Sequence, residues 1–279
     1  MIRQLRMTVL SENTAGARGV LSEHGLAFWI EADGRSILFD TGQGMVLTHN
    51  AKVLGVDLTK TDDLVLSHGH FDHTGGLLDA LQSFRRAKAY LHPSALEPKF
   101  SKGADGRGQP VGSPVPRLDH ISSHVEDVVL TTGPEELAEG VWVTGQIPRT
   151  TDFEDTGGSF YTDEGCTTPD PLVDDQAVYV QTAKGVVVFL GCAHAGLVNT
   201  IEYVAELAGE ADLYALLGGM HLIRASDDRI ARSAEALARR NVRVLGPAHC
   251  TGRKAAMYLW QRFPDRCVEC MVGTRFVFD

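Results

Sequence analysis

The sequence lacks long apolar runs. Its longest ones, such as residues 185–191 (GVVVFLG), are far too short to cross a bilayer. The first sixteen residues, MIRQLRMTVLSENTAG, contain two arginines but no apolar stretch of seven or more residues followed by a small-residue cleavage site. From these two absences we expect no secretory signal, no membrane partner and a cytoplasmic location.

Positive charge is also scarce. Lysine and arginine total 26 against 36 aspartates and glutamates, so the formal net charge is −10. An extended nucleic-acid footprint needs Lys and Arg clustered on one face, and this balance argues against one. The charge balance does not exclude small anions as ligands. We therefore expect no nucleic acid as a partner, while the sequence leaves the oligomeric state open.

Cysteines are few. The five of them form no dense, even-numbered framework, which fits a reducing compartment. Cys267 and Cys270 make a single CxxC pair near the C-terminus. Because one such pair without a second is weak evidence for a metal or redox site, we interpret both residues as ordinary thiols.

Histidine and aspartate, by contrast, are concentrated in one short stretch. Residues 64–78, LVLSHGHFDHTGGLL, place His68, His70, Asp72 and His73 within six positions. Packing four ionisable groups together at a strand end costs free energy unless a partner such as a metal ion offsets it. His68 and His70, two residues apart, project to the same side of an extended stretch and can chelate one ion. The stretch therefore predicts a metal site, with Asp72 and His73 free to face a second ion.

Strands that end in histidines recur along the chain. A hairpin around Asp33-Gly34 and a short buried strand over 63–69 come first, followed by a helix predicted over 73–87 from its leucine spacing. Three later strands lead to His194, His221 and His249, with helices predicted over 199–209, 231–241 and about 253–262. Any one of these histidines alone also fits a buried structural role. Strand ends form the ligand rim of open α/β folds, so we expect them at one rim.

The motifs together resemble those of the metallo-β-lactamase fold superfamily. The stretch HGHFDH (68–73) followed by TGG looks like its signature, and the resemblance runs from ILFDTG (37–42) to GPAHCTG (246–252). The combination of SHGHFDHTGGL, TGQIPRTTDFE, DDQAVYV, GCAHAGLVNTIEY and GGMHL is similar to the subgroup labelled dihydropterin-methyl-ribofuranosylaminobenzene-phosphate synthase. The resemblance implies an α/β fold, a four-layer αββα sandwich of the metallo-β-lactamase type. It implies one domain over 1–279 with loop insertions near 97–118 and 144–165.

The resemblance also implies a dinuclear site. Its metal ligands would be His68, His70, Asp72, His73, His194 and His249, holding two divalent ions, with zinc favoured and iron or manganese as alternatives. Superfamily hydrolases usually bridge the two metals with an aspartate at a strand end. Here the strand ends in Cys192-Ala193-His194 and the next one offers His221. The bridging group is therefore Asp175, Cys192 or solvent alone.

Such a site predicts a metal-dependent hydrolase. A metal lowers the pKa of its bound water to about 7, so hydroxide would be available to attack a small anionic, phosphate-bearing substrate. Asp72 and His221 are the expected catalytic residues. Candidate phosphate partners, each of which also fits an ordinary surface charge, are Lys99, Lys102, Arg149, Arg253 and Lys254. Candidate aromatic pocket walls in the two insertions are Phe100, Phe153, Phe160 and Tyr161.

Other functions remain open on the sequence alone. A pterin-related synthase is one, and a catalytically silent metal-bearing ligand-binding or sensor protein is another. A redox di-iron role is disfavoured because such proteins usually carry glutamate at the position of His70. The triplet Asp40-Thr41-Gly42 resembles that of aspartic proteases, which need two copies, and the chain has one. We interpret Asp40 as ending a core strand and holding the loop near the metal turn through hydrogen bonds.

Overall fold

The computed structural model describes residues 1–278. Its strands, in chain order, are β1 (Leu5–Ser11), β2 (Ala27–Ala32), β3 (Arg35–Phe39), β4 (Asp63–Val65), β5 (Lys88–Leu91), β6 (Phe100–Lys102), β7 (Gly108–Pro110), β8 (Asp127–Leu130), β9 (Glu135–Ala138), β10 (Val141–Val143), β11 (Phe160–Tyr161), β12 (Ala177–Thr182), β13 (Gly185–Leu190), β14 (Leu213–Gly219), β15 (Val244–Ala248) and β16 (Arg275–Val277). Its α-helices are α1 (Leu47–Leu54), α2 (Phe71–Thr74), α3 (Leu77–Ser83), α4 (Leu118–Ser122), α5 (Leu197–Leu207), α6 (Asp227–Arg239) and α7 (Arg253–Arg262). Short 3₁₀ turns cover Leu58–Lys60, Pro93–Leu96 and His249–Thr251.

Two large sheets dominate the structure. The first sheet has the order β16-β1-β2-β3-β4-β5-β8, and the second has the order β15-β14-β13-β12-β10-β9. The hairpin predicted around Asp33-Gly34 is confirmed: β2 pairs antiparallel with β3, and both turn residues have positive φ, as a tight hairpin turn requires. β3, β4, β5 and β8 run parallel, as do β13, β14 and β15. Parallel strands bring their carboxyl ends to the same edge of a sheet.

Three apolar clusters fix the layer order. The central one packs side chains from both sheets face to face, among them Phe28 and Phe39 of the first sheet and Phe189 of the second. The outer face of the first sheet packs against residues of α1 and α3, such as Leu47 and Leu81. The outer face of the second sheet packs against α5, α6 and α7. The structure therefore has the expected four-layer αββα arrangement.

The helices of the second half lie where the sequence predicts them, but the helix predicted over 73–87 is interrupted. It divides into α2 and α3 at Gly75 and Gly76. An added Cβ at Gly75 would lie 2.2 Å from the Gln43 carbonyl oxygen, and one at Gly76 would lie 2.3 Å from that of Thr41. The two glycines thus let the loop after β3 pack directly onto the histidine turn. The longest helix, α6, has 13 residues, and in residues 1–278 no helix combines the length and apolar character needed to cross a membrane.

The two segments expected as loop insertions contain short strands, which is a correction to the sequence reading. β6 and β7 lie in the first segment and pair with β11 of the second, in the order β11-β6-β7. A further bridge joins His70 to Gly112. This small third sheet is therefore attached directly to the histidine turn and forms a wall beside it.

Candidate metal centre

Three buried histidines form what we call the first donor group: His68, His70 and His194. His68 and His70 follow β4, and His194 follows β13, so the two large sheets supply them from opposite sides. His68 Nε2 lies 3.0 Å from His70 Nδ1. The His194 ring centroid lies 4.8 Å from the centroids of both other rings. The two imidazoles expected to chelate one ion therefore lie next to each other, and a third lies beside them.

The second donor group consists of Asp72, His73 and His249. His249 Nε2 lies 3.2 Å from both His73 Nε2 and Asp72 Oδ2, and His73 Nε2 lies 4.0 Å from Asp72 Oδ2. Asp72 and His73 belong to α2, whereas His249 directly follows β15. Three donor atoms separated by 3–4 Å converge as the ligands of one divalent ion do. The six residues expected as ligands thus lie together in two adjacent groups.

In three of the five histidine rings, Nδ1 faces a specific acceptor. Asp40 Oδ2 lies 2.7 Å from His73 Nδ1 and accepts a hydrogen bond from the Ser67 hydroxyl. Thr156 O lies 2.8 Å from His194 Nδ1, and Asn13 Oδ1 lies 2.8 Å from His249 Nδ1. An acceptor at Nδ1 leaves Nε2 unprotonated and aimed at a metal. The hydrogen-bonding role expected of Asp40 is confirmed, and its full burial leaves no room for a protease dyad.

Cys192 lies between the two donor groups. Its Sγ is 3.1 Å from His73 Nε2. Ligand atoms of Cys192, His68 and His194 lie within 4.8 Å of one another, as do those of Cys192, His73 and His249. The sulfur therefore reaches both groups from the end of β13.

Asp175, the other bridging candidate, has a different place. Its Oδ2 accepts a hydrogen bond of 2.7 Å from the Ala195 backbone N–H. That contact fixes the backbone next to His194 rather than bringing the carboxylate into either donor group. Burial raises the Asp175 pKa to about 7.

The protonation states of the first donor group suit cation binding. Burial lowers the pKa of His70 to about 3, and it also holds the pKa values of His68 and His194 well below the ordinary value. Burial opposes protonation of His73 too, but Asp40 and Asp72 outweigh it and raise the His73 pKa to about 9. Neutral imidazole is the form that binds metals, so the first donor group is ready to do so.

Unpartnered buried atoms test whether these residues fit a metal. In residues 1–278, His70 Nε2, His194 Nε2 and His221 Nδ1 are buried without a hydrogen-bond partner. Buried polar atoms normally have a partner, so the unpartnered Nε2 atoms of His70 and His194, both in the first donor group, call for a metal ion. Imidazole, thiolate and carboxylate together suit zinc and also admit iron. The residues therefore fit the divalent ions that the sequence led us to expect.

His221 lies beside the first donor group, with its ring centroid 4.1 Å from that of His194. It follows β14 and has a φ of 42°, unusual for a residue with a side chain. An added Cβ at Gly157 would lie 1.9 Å from His221 Cδ2, so the glycine makes room for the imidazole. His221 also forms a third group of potential metal donors with Cys192 and Cys250.

A cavity of about 320 Å³ opens onto these residues. Its lining includes His70, Asp72, His194, His221 and His249, together with Phe160, Ile223 and Arg224 of the surrounding loops. The Phe160 ring centroid lies 4.7 Å from that of His70. Three larger clefts within residues 1–278, of about 400, 430 and 720 Å³, are lined by no histidine and lie away from the donor groups.

The positively charged residues suggested as phosphate partners lie elsewhere. Lys99 is buried in ion pairs with Asp170 (3.1 Å) and Asp174 (3.0 Å), which is a correction to its expected role. Arg149 donates to the Pro171 carbonyl, and Lys254 pairs with Asp227. Lys102 and Arg253 are exposed outside the cavity lining. Of the aromatic candidates, Phe160 lines the cavity, whereas Phe100, Phe153 and Tyr161 do not.

Sequence reasoning missed two polar residues at the site, Asn13 and His24. Asn13 contacts His249, and His24 Nε2 lies 3.2 Å from Asp72 Oδ2. Burial opposes protonation of His24, but the hydrogen bond to Asp72 outweighs it and raises the His24 pKa. Both residues lie in irregular chain between β1 and β2, far upstream of the histidine signature. No spacing or strand end marks them, because only the packing of β1 against β2 brings this segment to the rim.

Comparison with known proteins agrees with this geometry. A family model described as the metallo-beta-lactamase superfamily matches residues 23–249. The chain is 29% identical over 280 aligned positions to the 7,8-dihydropterin-6-methyl-4-(beta-D-ribofuranosyl)-aminobenzene-5'-phosphate synthase of Methanocaldococcus jannaschii, covering 95% of this chain and 93% of that protein. Among solved structures, Tm1679, described as a metal-dependent hydrolase of the beta-lactamase superfamily, has a TM-score of 0.83 and 28% identity, covering 98% of both chains. The metallo-beta-lactamase fold protein YhfI from Bacillus subtilis has a TM-score of 0.57 at 14% identity, covering 99% of this chain and 100% of that one, and thus shares the fold. The chain therefore belongs to the metallo-β-lactamase superfamily.

Proposed function

We propose that this protein is a hydrolase that holds two divalent metal ions and cleaves a small anionic, phosphate-bearing substrate. One observation carries the proposal: two groups of metal donors lie side by side at the floor of a cavity, with Cys192 reaching both. His68, His70 and His194 would hold one ion, and Asp72, His73 and His249 would hold the other. Bound divalent ions lower the pKa of a coordinated water to about 7 and polarise a phosphoryl or acyl oxygen.

The charge of the site favours an anion. With Cys192 as a thiolate, Asp72 as a carboxylate and one hydroxide, two divalent ions would leave about one net positive charge. This net charge is smaller than the charge of about +2 that would remain if only Asp72 and hydroxide balanced the two ions. Arg224 lies in the cavity lining and adds a positive charge at its mouth. Phosphate esters and carboxylates are the small substrates that such a centre attracts.

We assign roles in the reaction to two residues. Asp72 belongs to the second donor group, and its Oδ2 lies 3.2 Å from both His24 Nε2 and His249 Nε2, so its carboxylate lies next to the position proposed for the second ion. His221 lines the cavity next to His194, and we assign it the contact with the leaving group, to which its imidazole would pass a proton. Phe160 closes one side of the cavity and would exclude water from the face of the substrate that it covers.

The relatives support this class of substrate. Tm1679 is described as a metal-dependent hydrolase, and the Methanocaldococcus jannaschii relative is named as a synthase of a 5'-phosphate compound. That name also favours a second candidate function, in which an organic nucleophile rather than water attacks the phosphate-bearing substrate. Phosphate-bearing substrates are common to both candidates, and the products tell them apart.

The test is hydrolysis of a phosphomonoester and a phosphodiester of p-nitrophenol by the metal-loaded protein. We expect p-nitrophenolate release that stops on chelation and falls roughly 100-fold or more in His68→Ala, while His49→Ala on α1 keeps the wild-type rate. Tight metal binding without turnover of either ester would contradict the hydrolase and favour a metal-bearing sensor. Turnover only when an amine or other organic nucleophile is supplied would favour the synthase.

A further inference from the structure

His24 is the polar residue on the open side of the second donor group. Its Nε2 lies 3.2 Å from Asp72 Oδ2, and its ring centroid lies 5.0 Å from that of His249. One ligand atom each of His24, Asp72 and His249 lies within 4.8 Å of the others, a spacing that one ion can span. The His24 side chain is 59% exposed and also lines the cavity. It is the one imidazole near the donor groups that solvent reaches freely.

The backbone around His24 is held firmly in place. The neighbouring Glu23 carboxylate is buried and accepts backbone N–H bonds from Gln43 (2.9 Å) and Met45 (2.8 Å). On the other side, an added Cβ at Gly25 would lie 2.6 Å from the Asp72 carbonyl oxygen. Gly25 therefore allows the segment to approach the Asp72 turn more closely than another residue would. These contacts on either side fix the backbone that places the His24 imidazole beside Asp72.

Asn13 connects His24 to the second donor group. Its Oδ1 lies 2.8 Å from His249 Nδ1, and its Nδ2 lies 3.5 Å from His24 Nδ1. One amide therefore touches the outer nitrogens of both rings. Their Nε2 atoms both lie 3.2 Å from Asp72 Oδ2.

We propose that His24 is a ligand of the divalent ion held by Asp72, His73 and His249. This inference rests on the two-metal site proposed above. An exposed histidine paired with a carboxylate contributes little to stability, so folding alone gives no reason for this alignment. With His24 included, the ligands of the second ion would come from both large sheets and from the segment that connects β1 to β2. The second ion would then be held by chain segments on three sides.

Cobalt(II) titration of the metal-free protein tests this assignment. The variants are His24→Ala and His24→Gln, with His49→Ala as the control for loss of an exposed histidine; circular dichroism confirms folding. The number of bound ions is measured by equilibrium dialysis, and their coordination by visible absorption. We expect wild type and His49→Ala to bind two ions. In both His24 variants the second ion should bind at least tenfold more weakly, and the visible spectrum should change. Loss of an outer hydrogen-bond partner of a ligand already lowers metal affinity about 10- to 100-fold, and loss of the ligand itself should cost at least as much.

The glutamine variant separates a ligand from a positioning residue. Glutamine can still donate a hydrogen bond to Asp72 but is a poor metal ligand. Wild-type affinity and spectrum in His24→Gln, with weakening only in His24→Ala, would reduce His24 to an orienting partner and overturn the proposal. Unchanged binding in both variants would overturn it as well. If wild type itself takes up no second ion, the two-metal site fails together with this inference, which distinguishes that result from the other two.

Discussion

Cys192 would join the two halves of the proposed two-metal site, because its sulfur reaches members of both donor groups. A metal-bound Cys192 thiolate would supply the negative charge that an aspartate supplies in superfamily hydrolases. We expect Cys192→Ala to weaken metal binding about tenfold or more, and Cys192→Asp to keep two ions because it restores an anionic donor. Cobalt titration measures both. Wild-type affinity in Cys192→Ala would show that the sulfur holds no metal.

Asp175 provides a pH dependence of stability. Burial raises its pKa from the ordinary value of 3.8 to about 7 in the folded protein. The folded state therefore binds the proton more tightly than the unfolded state between these two values. Because the folded protein loses this proton as pH rises from about 4 to 7, the contribution of Asp175 to the free energy of unfolding falls by a few kcal/mol at most.

The variant Asp175→Asn keeps an acceptor for the Ala195 N–H but cannot ionise. We expect its free energy of unfolding to decline less than that of wild type over this pH range. Urea denaturation of the metal-free proteins at pH 4.5, 6 and 7.5 measures the difference. Parallel curves for the two proteins would show that Asp175 does not carry the dependence.

The candidate ligands could be predicted residue by residue because each follows a strand or belongs to the signature. His68, His194 and His249 were all placed this way, and the structure brings them to one rim. Asn13 and His24 could not be predicted, because they reach the site only through long-range packing of irregular chain. Cys192 could be named only as one of several bridging candidates. What favours Cys192 over Asp175 as the proposed bridge is the position of its Sγ atom, which no sequence pattern specifies.

At the scale of elements, the small third sheet is the feature that the sequence concealed. Its strands have two or three residues each, lie in glycine- and proline-rich chain, and pair across some 60 positions, as Phe160 does with Ser101. Periodicity needs longer strands to be visible. The same reasoning explains α2 and α3: leucine spacing predicts the helix, but the break depends on the loop that packs against Gly75 and Gly76.

The third sheet should determine substrate affinity rather than metal binding. Phe160 on β11 covers the cavity, whereas its neighbour Tyr161 lies outside the lining. We expect Phe160→Ala to raise the KM for a phosphate ester several-fold with unchanged metal content, since the ring lines the cavity and would contact the substrate rather than a metal. Tyr161→Ala is the matched control and should leave KM near that of wild type. Loss of metal in Phe160→Ala would assign the ring to the metal site itself.

At the scale of the whole molecule, the metal centre lies between the two sheets. The first sheet leads to His68, His70 and the Asp72 turn, and the second leads to Cys192, His194 and His249. Bound ions would therefore link the two halves of the sandwich. The four-layer order could be predicted from the family resemblance alone, because strands that alternate with helices also fit a single sheet with helices on both faces.

This placement couples metal binding to folding. An ion present at 100 times its dissociation constant stabilises the folded state by about 2.7 kcal/mol per site. We expect chelation to lower the unfolding temperature by roughly 5 °C or more. The shift should be smaller in His249→Ala, which has already lost one ion. Calorimetry with and without chelator measures it, and an equal shift in both proteins would argue against coupling through the second donor group.

The most direct measurement is the metal content of the protein purified without added metal, beside His68→Ala and His249→Ala. A dinuclear centre predicts about two equivalents in wild type and about one in each variant, because each substitution removes a ligand from a different donor group. His49→Ala should match wild type. No bound metal in the wild type, or a content that neither substitution changes, would contradict the dinuclear centre and the hydrolase that depends on it.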